Sequence, residues 1–175
     1  APTFGSMDFQ TGEIYANPAA TQQMLDDGEV DLEAWLAGEV ETEFAYQEGL
    51  AFVSGSGANG RPNGILTYVN GAANAAANPL GAITTVNSGA ADSITSDGIV
   101  NLTQALPTAF SQNARFAMNK GTIGAIRLLK DTTGNYLWQP SYQAGTPSTL
   151  LGYAISAIAA MPALAASSKS VLFGG

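Results

Sequence analysis

The stretch "DLEAWLAGEVETEFAYQEGLAFV", Asp31 to Val53, decides how this chain is read. Leu32, Trp35, Leu36, Val40 and Phe44 recur at three- and four-residue steps, with Glu33, Glu39, Glu41, Glu43 and Glu48 mostly between them. That spacing gathers the apolar residues on one face of an α-helix that Asp31 can cap. One helix over these residues is about 35 Å long at ~1.5 Å per residue, the length of a strut that packs on an element of similar reach. The alternative is an ordinary core helix that breaks near Gly38 or Gly49. The continuous helix is the expectation, because one interior glycine costs only ~1 kcal/mol and packing can absorb it.

The helix runs into "GSGANGRPNG", Gly55 to Gly64, which contains Gly55-x-Gly57-x-x-Gly60. This spacing binds a dinucleotide pyrophosphate only where a strand leads in and a helix follows, since the phosphates rest on the helix's unpaired N–H groups. Here a helix leads in. Pro62 restricts Arg61 to extended geometry and Asn63-Gly64 is a turn signal, so no helix N-terminus is expected to follow. Gly55, Gly57, Gly60, Pro62 and Gly64 are therefore read as a turn joining two units, with no nucleotide site.

Upstream, residues 1 to 16 read as an extended arm or strand. "NPAATQQMLDDG" reads as a short helix, with Asn17 as N-cap, Pro18 at the first helical position and Gly28 after the last turn. Downstream, "ILTYV" is expected to be a strand, followed by a small, polar, turn-rich stretch with one short strand at "AITTV". "SDGIVNLTQALPTAF" places Ile99, Leu102, Leu106 and Phe110 on one helical face, capped by Ser96 or Asp97. "ARFAMN" reads as a buried strand and "KGTIGAIRLLKDTTG" as a helix ending near Gly134. "NYLWQPS" reads as a strand, "TLLGYAISAIAAM" as a strand or strand pair, and "SVLFGG" as a terminal strand. The class is mixed α+β.

With 175 residues, 46% of them hydrophobic, the chain can bury a core without staples. It has no Cys, which excludes disulfides, thiolate metal sites and a Cys nucleophile within it. It has no His either, which removes the commonest general base and the commonest zinc ligand. No S-x-x-K occurs, and the adjacent Ser167, Ser168 and Lys169 lack the helical spacing of a Ser-Lys nucleophile. "DDGEVDLE" lacks the alternating ligand ladder of a calcium loop. The longest apolar run, Leu150 to Ala166, is interrupted by Gly152, Ser156 and Pro162 and falls short of the ~20 strongly apolar residues of a membrane span. Aromatics beside cations in "RFAMNK" and "YLWQPSY" could stack on nucleotides, but both lie in apolar stretches where burial is the commoner fate.

Charge is divided along the chain. Up to residue 60 there are eleven acidic residues and no Lys or Arg. From Arg61 on there are six cations against Asp92, Asp97 and Asp131, so the two parts carry −11 and +3, which sum to −8. An acidic part joined to a mildly basic one suits contact between copies, and a solvated acidic helix is the plainer alternative. No clustered basic stripe for gripping a duplex is present.

Taken together, the long acidic helix with its glycine turn before Pro62-x-Gly64-Ile65-Leu66, the run Ile126-Arg127-x-Leu129-Lys130-Asp131-x-x-Gly134-x-Tyr136-Leu137-Trp138, and Leu150-Leu151-Gly152-Tyr153 with Met161-Pro162 resemble the major capsid proteins of tailed bacteriophages and prophages with the HK97-type fold. Gene transfer agent capsids and encapsulin-like compartments share that fold. The chain departs from the pattern at Ser56 and at Gly174-Gly175, where relatives often carry an acidic residue.

The resemblance implies a peripheral domain over 1–64, comprising the returning end of an extended loop and a spine helix at 31–53, and an axial domain over 65–175. It implies that the chain is incomplete at both ends. It also implies self-assembly through pentamers and hexamers into an icosahedral-type shell around double-stranded DNA, without sequence-specific binding, catalysis, cofactor or membrane. Scaffold, prohead protease and portal are the further partners implied, with assembly in the bacterial host cytoplasm and residence in the virion. Glu39, Glu43 and Glu48 against Arg61, Arg127 and Lys130 are the expected subunit contacts. The competing class is a non-catalytic surface binding module.

Overall fold

The structure is a computed structural model that describes residues 11–19, 31–78, 81–138 and 149–175. Its longest element is helix α1, Leu32–Ser54, 23 residues without a break at Gly38 or Gly49. Asp31 caps it as expected, its carboxylate accepting the Ala34 N–H at 3.1 Å. Gly38 has open space where a side chain would stand, so it weakens the helix only through backbone entropy. Leu32, Leu36, Val40 and Phe44 are half-buried, whereas Trp35 is 55% exposed. The expected apolar stripe is therefore only partly covered within the chain.

Past the glycine turn the backbone enters a 3-10 turn over Ile65–Tyr68 in place of the expected strand. Thr67 explains the difference, because both its N–H and its hydroxyl bond the Gly64 carbonyl, at 2.9 and 2.7 Å, and curl the chain. The strand expected at "AITTV" is reduced to one bridge, Val69 to Ile83. Residues 11–16 have no regular structure, and neither do 17–19; the rest of the arm and of the helix expected to Gly28 lies outside the described residues.

Helix α2, Ser96–Gln104, is capped by Thr95 rather than by Ser96 or Asp97. The Thr95 hydroxyl accepts the Gly98 N–H at 3.1 Å and donates to the Ser88 carbonyl at 2.7 Å, tying the helix start to the preceding loop. The helix stops short of the expected Phe110 because Pro107 supplies no N–H and its ring would clash with the preceding turn. Phe110 ends in a separate 3-10 turn and is 60% exposed.

Strand β1, Arg115–Met118, then leads into helix α3, Lys120–Arg127. Asn119 caps α3, accepting the Gly121 N–H at 2.9 Å. The helix ends seven residues before Gly134, since Asp131 organises a tight turn of its own. Its carboxylate accepts the Thr133 N–H, the Thr133 hydroxyl and the Asn135 N–H at 2.9, 2.7 and 2.8 Å. The described part of "NYLWQPS" forms no strand, only the bridge from Tyr136 to Lys130 beneath that turn.

Strands β2 (Thr149–Leu150), β3 (Tyr153–Ala157) and β4 (Val171–Gly174) complete a mixed sheet of order β2-β3-β1-β4. The expected strand pair and the terminal strand are both present. Central β1 runs parallel to β3, with Phe116 opposite Ile155, and antiparallel to β4, with Phe116 opposite Phe173. Phe116 and Met118 are fully buried and meet Ile99 of α2, Ile126 of α3 and Leu150 in one core. Phe116, Phe173 and Tyr153 stack within it, with Phe173 ring centroids 4.6 and 4.9 Å from the other two.

Candidate functional site

The glycine turn is built from the C-terminus of α1. Gly55 closes the helix by donating to the Ala51 carbonyl at 2.9 Å, and its own carbonyl accepts the Gly64 N–H at 2.8 Å. Between them Ser56 bridges Asn63, and Arg61 N–H reaches the Ala58 carbonyl at 3.2 Å around a tip where Asn59 and Gly60 have φ of 55° and 72°. Gly64 is needed for close approach: a Cβ there would lie 2.5 Å from the Gly55 nitrogen and 2.6 Å from the Ser54 nitrogen. Asn74 fastens the turn to the following segment, its Nδ2 donating to Asn63 Oδ1 at 2.9 Å and to Thr67 Oγ1 at 3.3 Å.

A single 3-10 turn does follow the glycines, which corrects the expectation that nothing helical would. It is four residues long, and the Gly64 and Thr67 amides are already bonded. This is the geometry of a turn tied by its own hydrogen bonds. A phosphate cradle needs a run of free amides at a helix start.

The charged residues expected at subunit contacts are all exposed. Glu39, Glu43 and Glu48 stand on α1, Arg61 on the turn, Arg127 at the end of α3 and Lys130 beside the Asp131 turn. Glu43 accepts from Gln47 Nε2 at 2.7 Å. Among the described residues no cation pairs with these three glutamates.

Sequence reading missed how the two distal cations are held. The Arg127 guanidinium lies 5.1 Å from the Trp138 ring centroid, and Lys130 Nζ lies 4.8 Å from that of Tyr136. The signal was present as the pairing of Lys130 with Tyr136 across a Gly134 turn. Of the described aromatics in "YLWQPSY", neither lies in a strand: Tyr136 is 47% exposed, whereas Trp138 packs against the core, its Nε1–H donating to the Thr149 carbonyl at 2.9 Å. Hydrogen bonding, first from the Thr133 hydroxyl and then from the Asn135 amide, holds the Asp131 carboxyl below its ordinary range.

A groove of about 550 Å³ opens between α2, the 83–94 loop and β4. Its titratable lining is Asp92 and Lys169 alone. Lys169 Nζ is bonded to the Ser167 carbonyl at 3.4 Å, not to a hydroxyl that it could activate. Among the described residues no cluster of acidic side chains is arranged to hold a metal, and no helix is long and apolar enough to cross a membrane. The arrangement favours surface contact.

The fold is shared with solved capsids. The structure matches the "Capsid of empty GTA particle computed with C5 symmetry" with a TM-score of 0.81 at 38% identity, over 95% of this chain and 57% of that one. It matches the corresponding native GTA particle capsid with a TM-score of 0.79, also at 38% identity, over 95% of this chain and 56% of that one. This chain therefore spans a little over half the length of those capsid proteins. No curated protein matches it.

A long helix beside a mixed α+β unit, shared at this level with gene transfer agent capsids, defines a capsid subunit of the HK97 type. The model of the phage capsid family matches residues 1–175, and the chain belongs to that family.

Proposed function

We propose that this chain is the greater part of a major capsid protein that self-assembles through pentamers and hexamers into a closed shell around double-stranded DNA. The observation that carries the reading is the state of α1 in the single chain. It presents Trp35, Tyr46 and Phe52 at 55%, 47% and 63% exposure, together with an acidic face whose Glu39, Glu43 and Glu48 are exposed and form no ion pair among the described residues. Apolar rings and unmatched charge on one long helix suit an interface with another copy.

The glutamates Glu39, Glu43 and Glu48 face the cations Arg61, Arg127 and Lys130 of neighbouring copies. The helix unit, 1–64, forms the peripheral domain, and 65–175 belongs to the axial domain, with the Gly55–Gly64 joint between them. The protein acts by contact and has no catalytic role or cofactor. Its net charge of −8 keeps the wall from gripping packaged DNA, which no basic stripe invites. Scaffold, prohead protease and portal act with it during assembly in the bacterial cytoplasm.

Light scattering of the full-length protein at low ionic strength tests this. The expected outcome is particles of one narrow size class. A monodisperse monomer under all conditions, as for a surface binding module, contradicts it.

A further inference from the structure

Three Asn-Gly pairs fall within twelve or so residues of the joint: Asn59-Gly60, Asn63-Gly64 and Asn70-Gly71. Glycine has no side chain to shield its amide nitrogen, so that nitrogen can attack the preceding asparagine's Cγ when it is free to approach. The three pairs have nearly the same chemistry and very different surroundings.

We propose that Asn70 is a site of spontaneous deamidation in the folded protein, that Asn59 is a slower one, and that Asn63 is protected. Asn70 and Gly71 are both exposed at the centre of a turn closed by Ala72 N–H to the Val69 carbonyl at 2.9 Å. Space around Gly71 is open, with nothing within 4 Å of a Cβ placed on it. Among the described residues neither the Asn70 side chain nor the Gly71 N–H has a hydrogen-bond partner.

Asn59 is exposed too, but the Gly12 backbone lies against the Gly60 carbonyl. That contact resists the movement of the Gly60 peptide that ring closure needs. At Asn63 both reacting groups are engaged. The Gly64 N–H is bonded to the Gly55 carbonyl at 2.8 Å in a buried contact, and Asn63 Oδ1 accepts from Asn74 at 2.9 Å.

The chemistry needs only water. The Gly71 nitrogen gives up its proton and bonds to Asn70 Cγ. The Cγ–Nδ2 bond breaks, and ammonia leaves with the proton. Water then opens the resulting succinimide at either carbonyl, giving an aspartyl or an isoaspartyl residue at position 70, with no change of oxidation state. Either product places a new negative charge in the part of the chain that otherwise carries +3. The isoaspartyl form also lengthens the backbone beside Val69, which is 4% exposed and bridged to Ile83. The inference does not depend on the shell reading.

The test is peptide mapping by mass spectrometry of the full-length protein held in mildly alkaline buffer, native and in denaturant. In denaturant all three asparagines should convert at similar rates. In the native protein Asn70 should convert close to its denatured rate, and Asn63 more slowly by roughly tenfold or more, the combined weight of its two hydrogen bonds. Asn70→Gln should abolish the acidic form of that peptide and leave the Asn59 peptide unchanged. Equal native rates at the three sites, conversion at Asn63 ahead of Asn70, or an acidic form that persists in Asn70→Gln would each overturn the assignment.

Discussion

Two residues show how local contact, rather than residue type, sets tolerance. Gly60 is a glycine for its backbone angle, with φ of 72° and only the Gly12 Cα, at 4.0 Å, near its Cβ position. Gly64 has an ordinary φ of −73° and is a glycine for lack of room. Gly60→Ala should therefore cost about 1–2 kcal/mol, most of it recovered in Gly60→Asn, since Asn adopts the left-handed region readily. Gly64→Ala should cost roughly 1–3 kcal/mol by overpacking, with no recovery in Gly64→Asn. Denaturant unfolding of the four variants measures both, and equal rescue by Asn at the two sites would contradict the distinction. Thr122 is a second case. It is 1% exposed, and its hydroxyl has no hydrogen-bond partner. Thr122→Val should leave stability unchanged or raise it by ~1 kcal/mol, because it removes a buried unsatisfied group of nearly the same shape. A loss above that size in the same assay would show that the hydroxyl has a partner. None of the three was legible in the sequence as more than a glycine of the turn or a threonine in a helix, since close approach and burial depend on what folds against them.

Among the elements, α1 makes the sharpest prediction. Gly38 sits in its interior with nothing within 4 Å of a Cβ, so Gly38→Ala should stabilise the helix by roughly 0.5–1 kcal/mol. Amide hydrogen exchange should show one protected segment through Gly38, and an unprotected gap there would contradict the single helix. This element was legible because its apolar spacing recurs from Leu32 to Phe44 and its cap, Asp31, is local. The shorter elements were legible only where the signal was equally local. Strands β1 and β4 were foreseen from compact apolar runs. "ILTYV" failed as a strand because the Thr67 hydroxyl and amide capture the Gly64 carbonyl, and α2 and α3 were overdrawn because Pro107 and the Asp131 turn outweigh apolar periodicity. That Tyr136 and Trp138 carry Lys130 and Arg127 on their rings needed the folded loop to be seen.

At the scale of the whole molecule, the charge divides into −11 up to residue 60 and +3 beyond it, and Glu39, Glu43 and Glu48 form no ion pair among the described residues. If copies complete the pairing, assembly must respond to salt. Each exposed pair contributes only ~0–1 kcal/mol, but it is repeated in every subunit, and screening at molar salt shrinks the Debye length to about 3 Å. Particle yield should fall as ionic strength rises, and yield unchanged up to molar salt would count against a charged interface. The glutamate positions were legible from sequence, but what they face was not, because the proposed contact lies between copies. The most direct measurement is cryo-electron microscopy of particles assembled from the full-length protein. The account predicts closed shells built of five- and six-fold rings, with an unbroken helix over residues 32–54 in each subunit whose Glu39, Glu43 and Glu48 face a neighbour's cations. Monomers alone, or shells in which that helix face meets only solvent, would contradict it.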